Sequence, residues 1–256
     1  MSGTTTVSPE KEIRKTVDNF AEVEKLLKFE KNTFYKFMVV VRNKDGRTPL
    51  IVKEAPSGET TIKQWYVESE KYYLSKAKPE MKALAECTRG RLYMCIERKS
   101  AYKMFMLLMD KVNDIIKEAV TCPNATPKRL NKIVNSITSD KLCTDKDCKT
   151  WMYDIDDEDE YGWYRDAILA YVAKVGNIGT DEVTVLQSRS GWHVITPRKF
   201  AIDENWHRWV ADRVIEFAKI TKPKLTIEDC TDIIHVVEDI KVQPNQMCLV
   251  YYNEVG

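Results

Sequence analysis

The spacing of apolar residues divides the chain into segments with a helix-like repeat and segments with a strand-like pattern. Apolar side chains that recur every three or four positions predict amphipathic helices, and short runs of β-branched and aromatic residues predict strands. The helices are expected over residues 10–31, 69–87, 100–120, 127–136, 161–174 and 203–220. The strands are expected over residues 34–42, 50–52, 62–67, 92–96, 151–156, 183–186, 192–196, 233–237 and 247–252.

Two of these segments carry additional local signals. Residues 34–42 and 50–52 flank the turn sequence Asn43-Lys44-Asp45-Gly46, which predicts a β-hairpin. The segment 100–120 has the clearest helical pattern, and Ser100 is a suitable N-cap. Its apolar face is expected to consist of Met104, Phe105, Leu107, Leu108, Val112, Ile115 and Ile116.

The order of elements predicts an α+β fold. The second half reads strand–helix–strand–strand–helix–strand–strand, which favours a mixed or antiparallel sheet with helices packed on one face, as in RRM-like split βαβ folds. We expect an N-terminal α+β region over residues 1–140 and a core over residues 141–256. The two regions form either separate units or one compact unit.

Composition restricts the class of protein only moderately. The net charge of +1 provides no global basic field, so any nucleic-acid surface has to be a local patch. The number of cysteines, seven, is odd, and the N-terminus has no apolar signal region, which favours a reducing, cytoplasmic setting. No apolar run approaches the length of a bilayer span, so we expect no membrane partner.

The segment 151–156 offers the first candidate chemistry. Asp154 and Asp156 lie two residues apart after a run of strand-forming residues, so their side chains share one face of a strand. Two neighbouring carboxylates repel each other unless a cation lies between them, and oxygen ligands suit Mg²⁺ or Mn²⁺. The alternative is a solvated acidic turn, because residues 157–160 are also acidic.

A second candidate lies in the turn between strands 183–186 and 192–196. Ser190, His193 and Arg189 together provide a hydroxyl, an imidazole and a guanidinium, which suit a phosphate group. The alternative is a structural histidine in a strand. Hydrolysis by a serine nucleophile is disfavoured, because the Gly-x-Ser-x-Gly elbow is absent.

Together the two segments resemble the archaeo-eukaryotic primase superfamily, and in particular its small phage-type primase-polymerase-like members. The motifs are Trp151-Met152-Tyr153-Asp154-Ile155-Asp156 and Ser190-Gly191-Trp192-His193. The resemblance implies metal-dependent nucleotidyl transfer, in which Asp154 and Asp156 bind metal and His193 contacts the phosphates of the nucleotide. It also implies a third carboxylate ligand, for which Asp239 is the first choice and Asp203 and Asp229 are competitors.

The same resemblance implies the partners. They are nucleoside triphosphates, a DNA or RNA template and replication proteins, in a host cytoplasm if the chain is phage-encoded. Basic residues around two elements of the first half are candidate nucleic-acid contacts, with solvated surface charge as the alternative: Arg91, Arg98, Lys99, Lys128 and Arg129.

Three other interpretations remain open. The chain could be a non-catalytic nucleic-acid-binding or host-interaction protein on a related scaffold. The paired carboxylates argue against this interpretation, because without a metal ion they would repel a phosphate group. It could also be a metal-dependent nuclease, which would not need a triphosphate-binding turn. Cys122, Cys143 and Cys148 could form part of a zinc site, although their spacing is unusual and no fourth ligand is evident.

Overall fold

The computed structural model describes residues 16–45, 58–121, 128–145, 150–156, 161–176, 178–197, 205–244 and 246–254. Its strands are β1 (Thr16–Asp18), β2 (Thr33–Arg42), β3 (Glu59–Val67), β4 (Arg91–Cys95), β5 (Lys99–Ser100), β6 (Trp151–Ile155), β7 (Thr184–Gln187), β8 (Trp192–Thr196), β9 (Lys241–Pro244) and β10 (Met247–Asn253). Its helices are α1 (Phe20–Leu26), α2 (Glu70–Tyr72), α3 (Lys78–Thr88), α4 (Ala101–Thr121), α5 (Lys128–Ser139), α6 (Trp163–Gly176), α7 (Trp206–Thr221) and α8 (Ile227–Glu238).

The strands form two antiparallel sheets, so the α+β prediction with antiparallel pairing is confirmed. The first sheet has the order β1-β10-β4-β2-β3, and β5 pairs with β2 at one end. The second sheet has the order β7-β8-β6-β9. The last strand, β10, therefore lies in the first sheet, between β1 and β4, and ties the end of the chain to its beginning.

The two faces of the second sheet have different neighbours because side chains alternate along each strand. Tyr153, Ile155 and Val194 pack against α6, α7 and α8 in one core. Met152 and Ile195 point to the other face and join the core of the first sheet. The second sheet thus lies between its own helices and the first sheet.

Most predicted elements are present, but two assignments were wrong. Within 10–31, the described part begins with strand β1 rather than a helix, because Val17 pairs with Tyr252 of β10 and is buried there. Residues 233–237 belong to helix α8, because the capping box of Thr226 and Asp229 starts a helix and Ile233 and Val237, four residues apart, face the core. The predicted strand 50–52 lies outside the described residues.

Candidate functional site

Asp154 and His193 face each other on the two central strands of the second sheet. Asp154 of β6 lies directly opposite His193 of β8, and the His193 Nε2 atom is 3.2 Å from the Asp154 Oδ1 atom. The imidazole is buried, whereas the carboxylate remains 31% exposed. The two motifs that were separate in the sequence are therefore in direct contact.

Lys241 completes a row of charged side chains across this sheet. It lies directly opposite Asp154 on the other neighbouring strand, β9, so Asp154 has a basic residue on each side. Cross-strand neighbours of this kind are close enough for their side chains to interact. Sequence reasoning missed Lys241 because β9 was not predicted. The alternation in Ile240-Lys241-Val242 was the available signal.

The charge of Asp154 depends on these neighbours. Burial acts to raise the pKa of Asp154, but the hydrogen bond from His193 and the electrostatic attraction of His193 and Lys241 outweigh it. The net effect holds the pKa of Asp154 below its ordinary value. The carboxylate is therefore ionised at neutral pH and available to a cation or to a proton donor.

His193 has one ring nitrogen in use and one without a protein partner. Its Nε2 atom contacts Asp154, and its Nδ1 atom is buried with no hydrogen-bond partner among the residues that the structure describes. When Nε2 carries the proton, Nδ1 is an acceptor. Asp154 therefore orients the ring and selects its tautomer, as carboxylates do for functional histidines.

The other two predicted carboxylate ligands are exposed. Asp156 follows β6 directly, two residues after Asp154. Asp239 is the C-cap of α8, where its backbone N–H donates to the His235 carbonyl, and it precedes Lys241 by two residues. Among the described residues, no group of three or more His, Cys, Asp or Glu side chains is arranged to hold a metal ion.

The two competitors for the third ligand have different outcomes. Asp229 is the N3 residue of α8, and its carboxylate accepts from the backbone and the hydroxyl of Thr226. That capping role accounts for its side chain. Asp203 lies outside the described residues. So do Cys122 and Cys148 of the suggested zinc site, whereas Cys143 is buried.

The turn between β7 and β8 is fixed to the first sheet by Arg189. The Arg189 guanidinium forms ion pairs with Asp45 and Glu254, at 2.8 and 3.6 Å, and lies over the ring of Tyr252. Arg91 of β4 binds the same Asp45 carboxylate through two nitrogens. Arg189 thus joins the second sheet to the first, and Arg91 holds the Asp45 carboxylate in place within the first sheet. Ser190 lies half-buried in the turn.

Arg98 and Lys99, proposed as phosphate contacts, are buried in the first half of the chain. Arg98 binds Asp145, Glu30 and the carbonyl of Lys28. Lys99 is 0% exposed, and its Nζ atom donates to the Thr144 hydroxyl and the Asp140 carbonyl. In this geometry both residues anchor the segment after α5.

The other two predicted nucleic-acid contacts lie on α5. Lys128 and Arg129 lie in the first turn of that helix. Their role as phosphate contacts stays a prediction.

A groove of about 840 Å³ lies away from the Asp154–His193 pair. It is bordered by α1, by Arg98 and Thr150, and by the ends of β7 and β8. Thr150 precedes β6, whereas Asp154 lies near the other end of that strand, about 13 Å further along at the rise of an extended chain. The groove and the pair are therefore separate features.

The comparisons with known proteins did not assign the chain to a family. Neither the family models, nor the curated proteins, nor the solved structures gave a significant match. Among the described helices, none combines the length and the apolar character needed to cross a bilayer.

Proposed function

We propose that this chain is a metal-dependent nucleotidyltransferase of primase-polymerase type that acts on a nucleic-acid template. The observation that carries the proposal is the contact between Asp154 and His193 on adjacent central strands. Residues from the two motifs, which are 39 positions apart in the chain, lie within 3.2 Å of each other.

The topology of the second sheet supports an RRM-like catalytic core. Its elements run β6, α6, β7, β8, α7–α8, β9, and the strand order is β7-β8-β6-β9. This is the arrangement of split βαβ folds, with the first and third strands in the centre. Asp154 and His193 belong to those two central strands, which have neighbours on both sides and give a rigid base for a site.

The donor set fits a divalent cation that is shared with a substrate. Mg²⁺ is commonly held by one or two carboxylates together with substrate phosphates, so a complete cage of protein ligands is not required. Asp154 and Asp156, with Asp239 as the candidate third ligand, are the residues that would hold it. When bound, Mg²⁺ or Mn²⁺ supplies charge neutralisation for the triphosphate and activation of the 3′-hydroxyl.

The side chains around Asp154 would bind and orient the nucleotide. Lys241 carries a positive charge next to the carboxylate and attracts the triphosphate, while His193 is held in one orientation by Asp154. Ser190 is the candidate hydroxyl donor. Arg189 already carries ion pairs to two carboxylates, so Lys241 is the better candidate for the cation that contacts phosphate.

Primer extension with Mn²⁺ or Mg²⁺ tests this function directly. We expect Asp154→Asn and Asp156→Asn to lower incorporation by at least ~100-fold, because each removes a charge that a metal ion needs. His193→Ala and Lys241→Ala are expected to raise the KM for the nucleotide more than the Kd for the template. Asp232→Asn, which changes an exposed carboxylate on α8, is the matched control and should retain activity.

Calorimetric titration of Mn²⁺, with and without a non-hydrolysable triphosphate, separates the alternatives. Metal-dependent nucleotide binding that is lost in Asp154→Asn supports the proposal. A wild-type chain that binds a template but neither metal nor nucleotide would instead indicate a non-catalytic binding protein. Shortening of the labelled primer, without extension, would indicate a nuclease.

A further inference from the structure

The long helix α4 carries a continuous apolar surface that nothing in the described chain covers. Its large apolar side chains on this side are between 50% and 81% exposed. We call them the α4 stripe: Tyr102, Phe105, Met106, Met109, Ile116 and Val120. At helical spacing they fall on one side of α4. Contiguous apolar surface of this kind is unusual in a monomer and marks interaction sites.

The rest of the helix is held in place, so the stripe is not the side that packs on its own chain. Leu108, Val112 and Ile115 are half-buried, and α4 packs against α5 and the short helical turn Lys141–Cys143. At its start, the Ser100 hydroxyl caps the helix, and the Lys103 Nζ atom donates to the Thr144 carbonyl at 2.6 Å. The apolar residues of α4 therefore form two groups, one that packs on the same chain and the exposed α4 stripe.

Four of the six stripe residues form two apolar pairs that are symmetric about the middle of the helix. Tyr102 and Val120 lie nine residues on either side of Lys111, Met106 and Ile116 lie five, and Met109 and Asn113 lie two. A second α4 that runs in the opposite direction therefore places Tyr102 against Val120 and Met106 against Ile116, while Met109 faces Asn113 and Phe105 faces Lys117. Self-complementarity of this kind is what a two-fold interface requires.

The charges of α4 also favour a second copy of this helix as the partner. Three basic and three acidic residues cancel along the helix: Lys103, Lys111, Lys117, Asp110, Asp114 and Glu118. A helix without net charge has no attraction for nucleic-acid phosphates or for a strongly charged peptide. A parallel copy would set each charge level with its own equivalent, whereas in an antiparallel copy only Lys111 lies level with its equivalent, on the side of the helix away from the stripe. The net charge of +1 leaves little repulsion between two chains.

We infer that the α4 stripe is the interface of a homodimer in which two α4 helices pair in antiparallel orientation about a two-fold axis that crosses the stripe at the level of position 111 along the helix. A helix of 21 residues is about 31 Å long, so one helix pair buries less area than a standard interface. The expected association is therefore reversible and in the micromolar range. It does not depend on the proposed nucleotidyl transfer.

Analytical ultracentrifugation of the full chain, from low micromolar to submillimolar concentration, tests this dimer. We expect a concentration-dependent monomer–dimer equilibrium. Met106→Glu should raise the dissociation constant at least ~10-fold, because it introduces a charge opposite Ile116 of the second copy. Ile227→Glu, a change of the same type at an exposed residue of α8, is the matched control and should dimerise as the wild type does.

A double variant tests the orientation. Met106→Glu combined with Ile116→Lys places opposite charges against each other only in the antiparallel pair, so association should be partly restored. Met106→Glu combined with Ile116→Glu should remain monomeric. A wild-type chain that is monomeric at all concentrations, a dimer that Met106→Glu does not weaken, or a Glu/Lys variant no better than the Glu/Glu variant would each overturn the inference.

Discussion

Asp154 shows how one side chain depends on residues that are distant in the sequence. Its carboxylate is partly buried, which by itself disfavours the charge, yet the hydrogen bond from His193 and the electrostatic attraction of His193 and Lys241 keep its pKa low. The stabilisation of the ionised form is therefore a property of three strands together. The sequence alone supplied two of these three residues as candidates, Asp154 and His193.

The pH dependence of stability follows from this shift. The pKa of Asp154 is lower in the folded chain than the ordinary 3.8, so the unfolded chain binds more protons in the acid range. The stabilisation is present above the unfolded pKa and is lost as pH falls through the folded pKa. We expect Asp154→Asn to lower the free energy of unfolding by about 1–2 kcal/mol at neutral pH, with the difference shrinking as pH falls below the ordinary pKa of 3.8.

Urea unfolding of both chains across this pH range measures that difference. Asp232→Asn, at an exposed position without a buried histidine partner, serves as the control and should show no such trend. A wild-type advantage that persists unchanged in acid would mean that the Asp154–His193 contact does not stabilise the fold through its charge.

At the scale of single elements, helix α8 illustrates a signal that the apolar pattern concealed. The run Ile233-Ile234-His235-Val236-Val237 has the composition of a strand, but Thr226 and Asp229 upstream form a reciprocal capping box. The Thr226 hydroxyl accepts from the Asp229 backbone, and the Asp229 carboxylate accepts from the Thr226 backbone. Local capping and the spacing of two core residues outweigh β-propensity here.

Removing the cap gives a prediction for this element. Thr226→Ala should lower the free energy of unfolding by about 1 kcal/mol. The Asp229 backbone N–H loses its acceptor, and the Asp229 carboxylate loses the hydroxyl that helps to hold it at the Thr226 backbone N–H. Chemical denaturation followed by circular dichroism measures the change. Thr231→Ala removes a hydroxyl that bonds only within the same helix and should change stability by less than about 0.5 kcal/mol. Equal stability of Thr226→Ala and wild type would contradict the assigned role.

Helix α4 shows that the apolar pattern predicts a helix but not which of its apolar residues are buried. Its boundaries and N-cap were predicted, because the period and Ser100 are local features. The predicted apolar face included Phe105 and Ile116, which are exposed in the structure. The apolar part of the helix surface is wider than one packing surface, and the positions of α5 and of the turn Lys141–Cys143 determine which half is covered.

At the scale of the whole molecule, the two halves share a core and a polar link. Asn19 is buried between the sheets, and its amide donates to the carbonyls of Gln187 in β7 and Leu249 in β10. Its side-chain oxygen accepts from the backbone N–H of Gln187. Together with the Asp45 ion pairs, these contacts predict that the two sheets unfold as one unit.

Asn19→Ala tests this coupling. We expect a loss of about 2–4 kcal/mol in the free energy of unfolding. The substitution removes the side-chain partner of the Gln187 and Leu249 carbonyls and of the Gln187 backbone N–H. Urea unfolding followed by tryptophan fluorescence and by circular dichroism should still give coincident transitions. Asp212→Ala, at an exposed position on α7, should differ from wild type by less than about 0.5 kcal/mol. A similarly small effect of Asn19→Ala, or two separate transitions in the wild type, would contradict the coupling.

The sequence by itself determined the features that arise from neighbouring residues. The α+β class, most helices and strands, the cap of α4, the Asp154–Asp156 spacing and the turn before His193 all follow from local propensity and periodicity. These interactions span a few residues and hardly depend on the rest of the chain.

Only the tertiary structure decided which distant residues meet. Strand pairing brings Lys241 to Asp154, β10 to the first sheet and Val17 into a strand. Folding also buries Arg98 and Lys99, whose charges in the sequence indicated an exposed, phosphate-binding surface. A charged side chain can be buried where folding supplies partners for it, and those partners lie far away in the sequence.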